Sequence, residues 1–211
     1  MIDFFADNHY GVHPGRVILE RLPERLRRRI RFDEDDWRRL EAGSWLNDCE
    51  LVVLHLIGGT CGLEHPGPGA ERAMREWCGR GGDILLLHGA SAAFWQWAWW
   101  RGIVGRRWVR PDDPDGVCRS THPKHPYRVT VARCRHPLAG KLLPLDLPCD
   151  EIYTDLEEVS PTMTLMETRI EEGTFPQCCE TRTPWGGRIL SFLPGHIPEA
   201  AAGRITYTIE G

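Results

Sequence analysis

The chain has 211 residues, with 26 Lys and Arg against 30 Asp and Glu, for a formal net charge of −4. Apolar residues make up 41% and charged residues 27%, the composition of a folded globular chain and not of a disordered one. The mild negative charge argues against a general polyphosphate binder, whose affinity would rest on basic patches, and leaves room for a local anion site. The length suits one domain over residues 1–211, which at this size buries about 70% of its unfolded surface without covalent staples.

The N-terminus, Met1-Ile-Asp-Phe-Phe-Ala-Asp7, has no basic n-region and no long apolar segment. No secretory or transmembrane segment is therefore read, and a cytoplasmic location is expected. Residues 2–6 form a short strand that ends in the polar turn Asp7-Asn8-His9. A helical pattern follows over 16–26 (Val17, Ile18, Leu22, Leu26), then a strand at 30–32. Asp33 to Asp36 offer caps for a helix through Trp37 and Leu40. The basic run Arg25 to Arg31 lies beside these acids, so the two are expected to compensate each other on a solvated face, not to bind nucleic acid.

Residues 51–57 (Leu-Val-Val-Leu-His-Leu-Ile) and 83–88 (Asp-Ile-Leu-Leu-Leu-His) are apolar almost throughout. Such runs read as strands buried on both faces, the signature of a parallel sheet covered by helices. A helix over 68–78 joins them, and residues 91–100 also look helical. Phe94 to Trp100 holds Trp95, Trp97, Trp99 and Trp100. An indole can stack on a sugar, but Trp95 and Trp99 at i, i+4 are better read as core or as an interface between copies of the chain. After residue 105 helical patterns are scarce. Strands are expected at 127–132, 150–156, 163–170 and 188–193, adding antiparallel strands to the sheet edge and returning one to its centre.

The cysteines at 49, 61, 78, 118, 134, 149, 178 and 179 contain no C-x-x-C pair. They are read as reduced thiols, mostly buried as small hydrophobes. No G-x-S-x-G elbow, no phosphate-binding P-loop and no dinucleotide fingerprint is present.

In open parallel sheets ligands sit beyond the carboxyl ends of the strands. That rule selects His9 after the first strand, His55 or Gly58-Gly59 after the third, His88-Gly89-Ala90-Ser91 after the fourth and His196 after the last. Glu151 and Tyr153 lie in a strand of the second half. Imidazoles and a carboxylate on one rim suit proton transfer near neutral pH or a divalent metal. His88, His196 and Glu151 are expected to line one pocket, with His9 at its edge. His122 and His125 lie in a Pro-rich loop and are read as solvated surface, and His136 as a turn residue.

Four blocks resemble the ThuA-like (trehalose utilisation) domain in content and order. They are Asp83-Ile-Leu-Leu-Leu-His-Gly-Ala-Ser91, His136-Pro-Leu-Ala-Gly140, Asp150-Glu-Ile-Tyr153 and Gly187-Arg-Ile-Leu-Ser-Phe-Leu-Pro-Gly-His196. The resemblance extends over about residues 50–198. It implies a flavodoxin-like α/β fold of the class I glutamine amidotransferase type, with added antiparallel strands. That family generally lacks the amidotransferase thiol, and here the turn His88-Gly89-Ala90-Ser91 has none, the nearest cysteines being Cys78 and Cys118. A glutaminase thus has no nucleophile. His196 and Glu199 resemble the remaining triad members without completing one.

The resemblance further implies a carbohydrate role: an enzyme acting on a disaccharide or keto-sugar, or alternatively a non-catalytic sugar-binding or assembly module of the same fold. His88, Glu151 and His196 are the expected catalytic groups, and Tyr153, Gly58, Gly59 and Ser91 the expected substrate contacts. A metal such as zinc would fall to His9, His88, Glu151 and His196. Expected partners are a small sugar and further copies of the chain, with no nucleic acid and no membrane. Alanine at His88 or His196 is expected to abolish activity with little loss of stability. Where some members carry further histidines, this chain has Ile57-Gly58-Gly59-Thr60 and Ser91. Where they close with a helix, residues 202–211 read as a strand or extended tail.

Overall fold

A computed structural model describes residues 1–111, 113, 115 and 119–210, the side chains of residues 200 and 207 excepted. The first half alternates β1 (Ile2–Ala6), α1 (Pro14–Arg21), α2 (Glu24–Arg27), β2 (Ile30–Glu34), α3 (Arg38–Ala42), β3 (Leu51–His55), α4 (Pro68–Gly79) and β4 (Ile84–Leu87). It continues with α5 (Ala98–Arg101), β5 (Arg106–Arg107), β6 (Lys124–Val131), β7 (Leu145–Glu151) and β8 (Glu157–Glu158). β9 (Thr162–Ile170), β10 (Gly173–Arg182), β11 (Arg188–Phe192) and α6 (Pro198–Glu210) close the chain.

Nine strands form one sheet in the order β2-β1-β3-β4-β11-β10-β9-β6-β7. From β2 to β11 neighbours run parallel, and from β11 onward antiparallel. The architecture is thus the flavodoxin-like sheet with antiparallel additions, and β11 is the strand returned to its centre. The period of two along each strand divides the core between the two faces. Phe4, Val53, Leu85 and Leu87 pack with Ile18, Leu22 and Ile205. Phe5, Leu54, Leu86 and Ile189 pack with Leu40, Met74, Trp77, Trp97 and Trp100. Leu85, Leu86 and Leu87 are each 1% exposed, as burial on both faces requires.

Several local expectations are corrected. Pro23 splits the pattern over 16–26 into α1 and α2, because proline cannot supply the amide a continuous helix needs. Residues 91–100 are not one helix: a 3-10 turn covers His88–Ala92 and α5 begins only at Ala98. Trp95 and Trp99 therefore are not helical neighbours. Trp97 stacks on Phe94 at 4.0 Å, and Trp99 donates its indole N–H to Glu71 at 2.9 Å.

The strand expected at 150–156 begins at Leu145 and ends at Glu151. It carries Pro148, which is tolerated because β7 is an edge strand. The C-terminal segment is the helix α6, not a strand. Ala201, Ala202 and Ile205 bury one of its faces, and tertiary packing overrides the β-branched residues Ile205, Thr206 and Thr208. The basic run does not pair with the acids at 33–36. Arg31 reaches Asp3 and Asp48, Arg29 reaches Glu50, and Arg25 reaches Glu210.

The seven described cysteines are unpaired, and three of them (Cys78, Cys178, Cys179) are buried, fewer than expected. Cys118 lies outside the described residues. Among the described residues no helix is long and apolar enough to cross a membrane.

Candidate functional site

β1, β3, β4 and β11 run parallel and therefore end at one rim, where His9, His55, His88 and His196 collect. His88 follows β4 directly, in left-handed backbone (φ 45°) that a non-glycine residue adopts at a cost. It is 1% exposed. Its Nδ1 donates to the Leu193 carbonyl at 2.8 Å. A carbonyl only accepts, so this contact places the proton on Nδ1 and leaves Nε2 with a lone pair. That Nε2 accepts from the Tyr153 hydroxyl at 3.3 Å and lies 3.5 Å from Glu151 Oε2.

Glu151 ends β7 and is almost fully buried. Its Oε1 is 3.3 Å from each of His122 Nδ1, Lys124 Nζ and His196 Nδ1. Burial opposes ionisation of this carboxyl. The close approach of His88, then of His196 and His122, outweighs burial and holds its pKa down at about 2. His196 Nε2 accepts from Lys124 Nζ at 2.9 Å. Desolvation, then His88 and Lys124, lower the His196 pKa below its ordinary value against the opposing pull of Glu151.

His9 lies inside the cluster and not at its edge. It is 6% exposed, with its ring 5.3 Å from that of His88 and 5.5 Å from that of His55. Burial, then the neighbouring His88, push its pKa down to about 3. Such closeness needs Gly89, since a Cβ there would lie 2.4 Å from His9 Cε1. Asp7 fixes the chain beneath: it accepts from the His9 amide at 3.2 Å and from the Ile57 and Gly58 amides at 2.8 and 2.7 Å. Asp150 does the same on the far side, binding the Glu151 and Gly195 amides at 2.8 and 3.1 Å.

Ligand atoms of His9, His88 and His196 all lie within 4.8 Å of one another. The sequence-selected His9, His88, Glu151, Tyr153 and His196 are thus brought together. Gly58, Gly59 and Ser91 are not among the residues lining the pocket, and neither is His88, which was expected there but is 1% exposed and lies beneath the wall, with Nε2 turned to Tyr153 and Glu151. The Gly58 amide is used by Asp7, and His65 covers both glycines. Ser91 is buried behind the wall, its carbonyl accepting from the Trp108 amide at 3.0 Å. Glu199 points elsewhere, pairing loosely with Arg21 at 3.9 Å.

Reasoning from sequence missed His122, Lys124, Trp108 and Arg110. His122 is half exposed yet faces Glu151, which corrects its reading as plain surface. Lys124 is the register partner of Glu151 across β6 and β7, a pairing that no local pattern reveals. Trp108 packs on Tyr153 and His122, with ring centroids 5.0 and 5.3 Å away.

The pocket above these groups has a volume of about 270 Å³ and is bounded by Tyr10, Trp108, Arg110, His122, Glu151 and Tyr153, among others. A larger cavity of about 470 Å³ lies at the opposite ends of the parallel strands. Its charged groups are already paired with one another, Arg25 with Glu210, Arg29 with Glu50, Arg188 with Asp83 and His136 with Glu180. The converging imidazoles make the smaller pocket the candidate site.

A flavodoxin-like sheet with antiparallel additions, an imidazole-lined rim and no thiol at the strand-end turn defines the class of fold and site. Within that class, the model of the ThuA (trehalose utilisation) family matches residues 8–204, and the chain belongs to that family. The fold is similar to that of a putative ThuA-like protein from Parabacteroides merdae (TM-score 0.69, 17% identity, covering 92% of this chain and 78% of the other). It is equally similar to one from Bacteroides uniformis (TM-score 0.69, 14% identity, 99% and 87% covered). A beta-galactosidase from Rahnella sp. R3 shares the fold over 30% of its length (TM-score 0.56, 11% identity, 99% of this chain). No curated protein matches the sequence. The family implies a carbohydrate-related role.

Proposed function

We propose that the chain is an enzyme acting on a sugar or keto-sugar, by proton transfer at the rim site. The observation that carries this reading is the His88 contact pair, with Nδ1 bound to the Leu193 carbonyl and Nε2 turned to Tyr153 and Glu151. That arrangement describes a general base with a fixed tautomer and a carboxylate beside it to stabilise the imidazolium that forms. A C–H next to a sugar ketone is acidic enough for such a base. Glu151 and His196 line the pocket and meet the substrate, and the proton taken there is relayed to His88 Nε2 beneath them. The Tyr153 hydroxyl, kept neutral by burial, turns its one proton from His88 to a substrate oxygen when substrate binds. His196, bridged to Lys124 and Glu151, is the second proton-transfer group. A pocket of about 270 Å³ lodges one sugar ring.

The same residues fit a divalent metal such as zinc. Three imidazoles present ligand atoms within 4.8 Å, Glu151 adds an oxygen, and His9 Nδ1 is buried with no hydrogen-bond partner. When bound, the metal supplies Lewis acidity at a substrate carbonyl. His88 Nε2 would then be a ligand, its Leu193 contact being the orienting bond such ligands use, and would no longer serve in proton transfer. Metal analysis of the purified protein decides between the two assignments.

The reading is tested by incubating the protein with a panel of 3-keto-disaccharides in D₂O and following the proton next to the ketone by NMR. Catalysed exchange or turnover, lost in His88→Gln and Glu151→Gln, is expected. Sugar binding without exchange or turnover by the wild type would make the protein a binding module instead.

A further inference from the structure

Two fixed charges of opposite sign line the pocket, Glu151 and Arg110. Glu151 is already matched by Lys124 at 3.3 Å. Arg110 is not matched: among the described residues no carboxylate pairs with its guanidinium, and its Nε is buried without a hydrogen-bond partner. Among the described residues the neighbouring acids are taken. Asp113 and Asp115 bind Arg107, and Asp115 also binds Arg101. The remaining carboxylates near the site, Asp7 and Asp150, are spent on backbone amides below it.

Arg110 is also held in place. Its guanidinium carbon lies 5.4 Å from the centroid of the Trp95 ring, which in turn packs edge-on to His65 at 5.7 Å. A guanidinium stacked by its face keeps its planar fork of N–H donors free at the edge. That fork matches the two oxygens of a carboxylate or phosphate, and a buried donor left unmade is costly, so the site is complete only with an anion against it. Trp108 and Pro111, on either side of Arg110 in the chain, line the same pocket, so such an anion shares the space of the substrate.

We infer that the substrate is an anionic sugar, a sugar acid or a sugar phosphate, whose charged group binds Arg110 while the reacting carbon faces Glu151 and His196. The inference rests on the sugar-processing reading above and narrows its substrate class.

The test is calorimetric titration of the intact protein with glucose, glucuronate, glucuronamide and glucose 6-phosphate. Glucuronate or glucose 6-phosphate should bind at least about tenfold tighter than glucose. Glucuronamide, uncharged and nearly isosteric with the acid, should behave like glucose. Whichever anion binds tighter distinguishes a carboxylate from a phosphate. Arg110→Gln should remove the preference for the charged sugars over glucose, and Arg110→Lys should retain part of it.

The amide comparison needs no variant, so it holds even if Arg110→Gln folds poorly. Equal affinities for charged and uncharged sugars, or a preference that survives in a folded Arg110→Gln protein, would overturn the inference and leave the sugar reading standing. Failure of all these sugars to bind would remove the sugar reading, and the inference with it.

Discussion

His88 Nδ1 donates to the carbonyl of Leu193 at 2.8 Å, across 105 positions of sequence. The bond ties the end of β4 to the end of β11, its parallel neighbour, and fixes which imidazole nitrogen faces Tyr153 and Glu151. It also means that His88 is an interior residue, with consequences for its substitution.

His88→Ala is expected to abolish activity and also to cost stability. It deletes a fully buried ring and strands the Leu193 carbonyl, a loss of about 2 kcal/mol. His196 is one-third exposed at its side chain, so His196→Ala should abolish activity at a cost below about 1 kcal/mol. The expectation from strand-end position alone, little loss in either case, is therefore kept for His196 and revised for His88. Urea midpoints of the two variants provide the comparison, and equal destabilisation would contradict the placement of His88.

Stability should fall on the acid side. The His9 pKa in the folded chain is about 3 against an ordinary 6.5, so the unfolded chain takes the proton more readily. Its contribution is full above 6.5 and is lost as pH falls toward 3. Glu151 has the same sign, with its contribution present above about 4.5 and lost as pH falls toward 2. The slope approaches about 1.4 kcal/mol per pH unit for each such imidazole within its window. Denaturation midpoints at pH 7.5 and pH 5 should differ accordingly, and His9→Gln should flatten the difference. A midpoint indifferent to this change would count against burial of His9.

Zinc added to chelator-treated protein should raise the melting temperature. At a hundredfold excess over the dissociation constant the gain is about 2.7 kcal/mol. The His196→Ala protein, which remains folded, should show little of it. A wild type unmoved by zinc, manganese or cobalt removes the metal assignment and leaves His88 as the base.

Thiol reactivity should separate the cysteines. Cys61 and Cys149 are exposed and should react with a disulfide reagent promptly in the native protein. Cys78, whose pKa burial pushes up to about 12, should wait for unfolding, as should Cys178 and Cys179. Denatured protein kept from air should titrate eight thiols, and a reproducible deficit would mean a disulfide.

The parallel half of the fold was legible because both-face burial leaves a local trace. Leu51 to His55 and Ile84 to Leu87 are apolar without alternation, and no other element requires that. The strand-end rule then located His9, His88 and His196 without knowledge of the sheet order. Only the tertiary structure decided the rest. Glu151 meets Lys124 through the register of two antiparallel edge strands, and His122 and Arg110 arrive on a loop whose path depends on what it packs against. Helix α6 reads as extended from its β-branched residues and becomes helical because burial of Ala201, Ala202 and Ile205 outweighs a propensity difference of a few tenths of a kcal/mol per residue. Local sequence carries propensity and burial pattern. Register, loop path and charge pairing belong to contacts between segments far apart in the chain, and they exist only once the sheet has assembled.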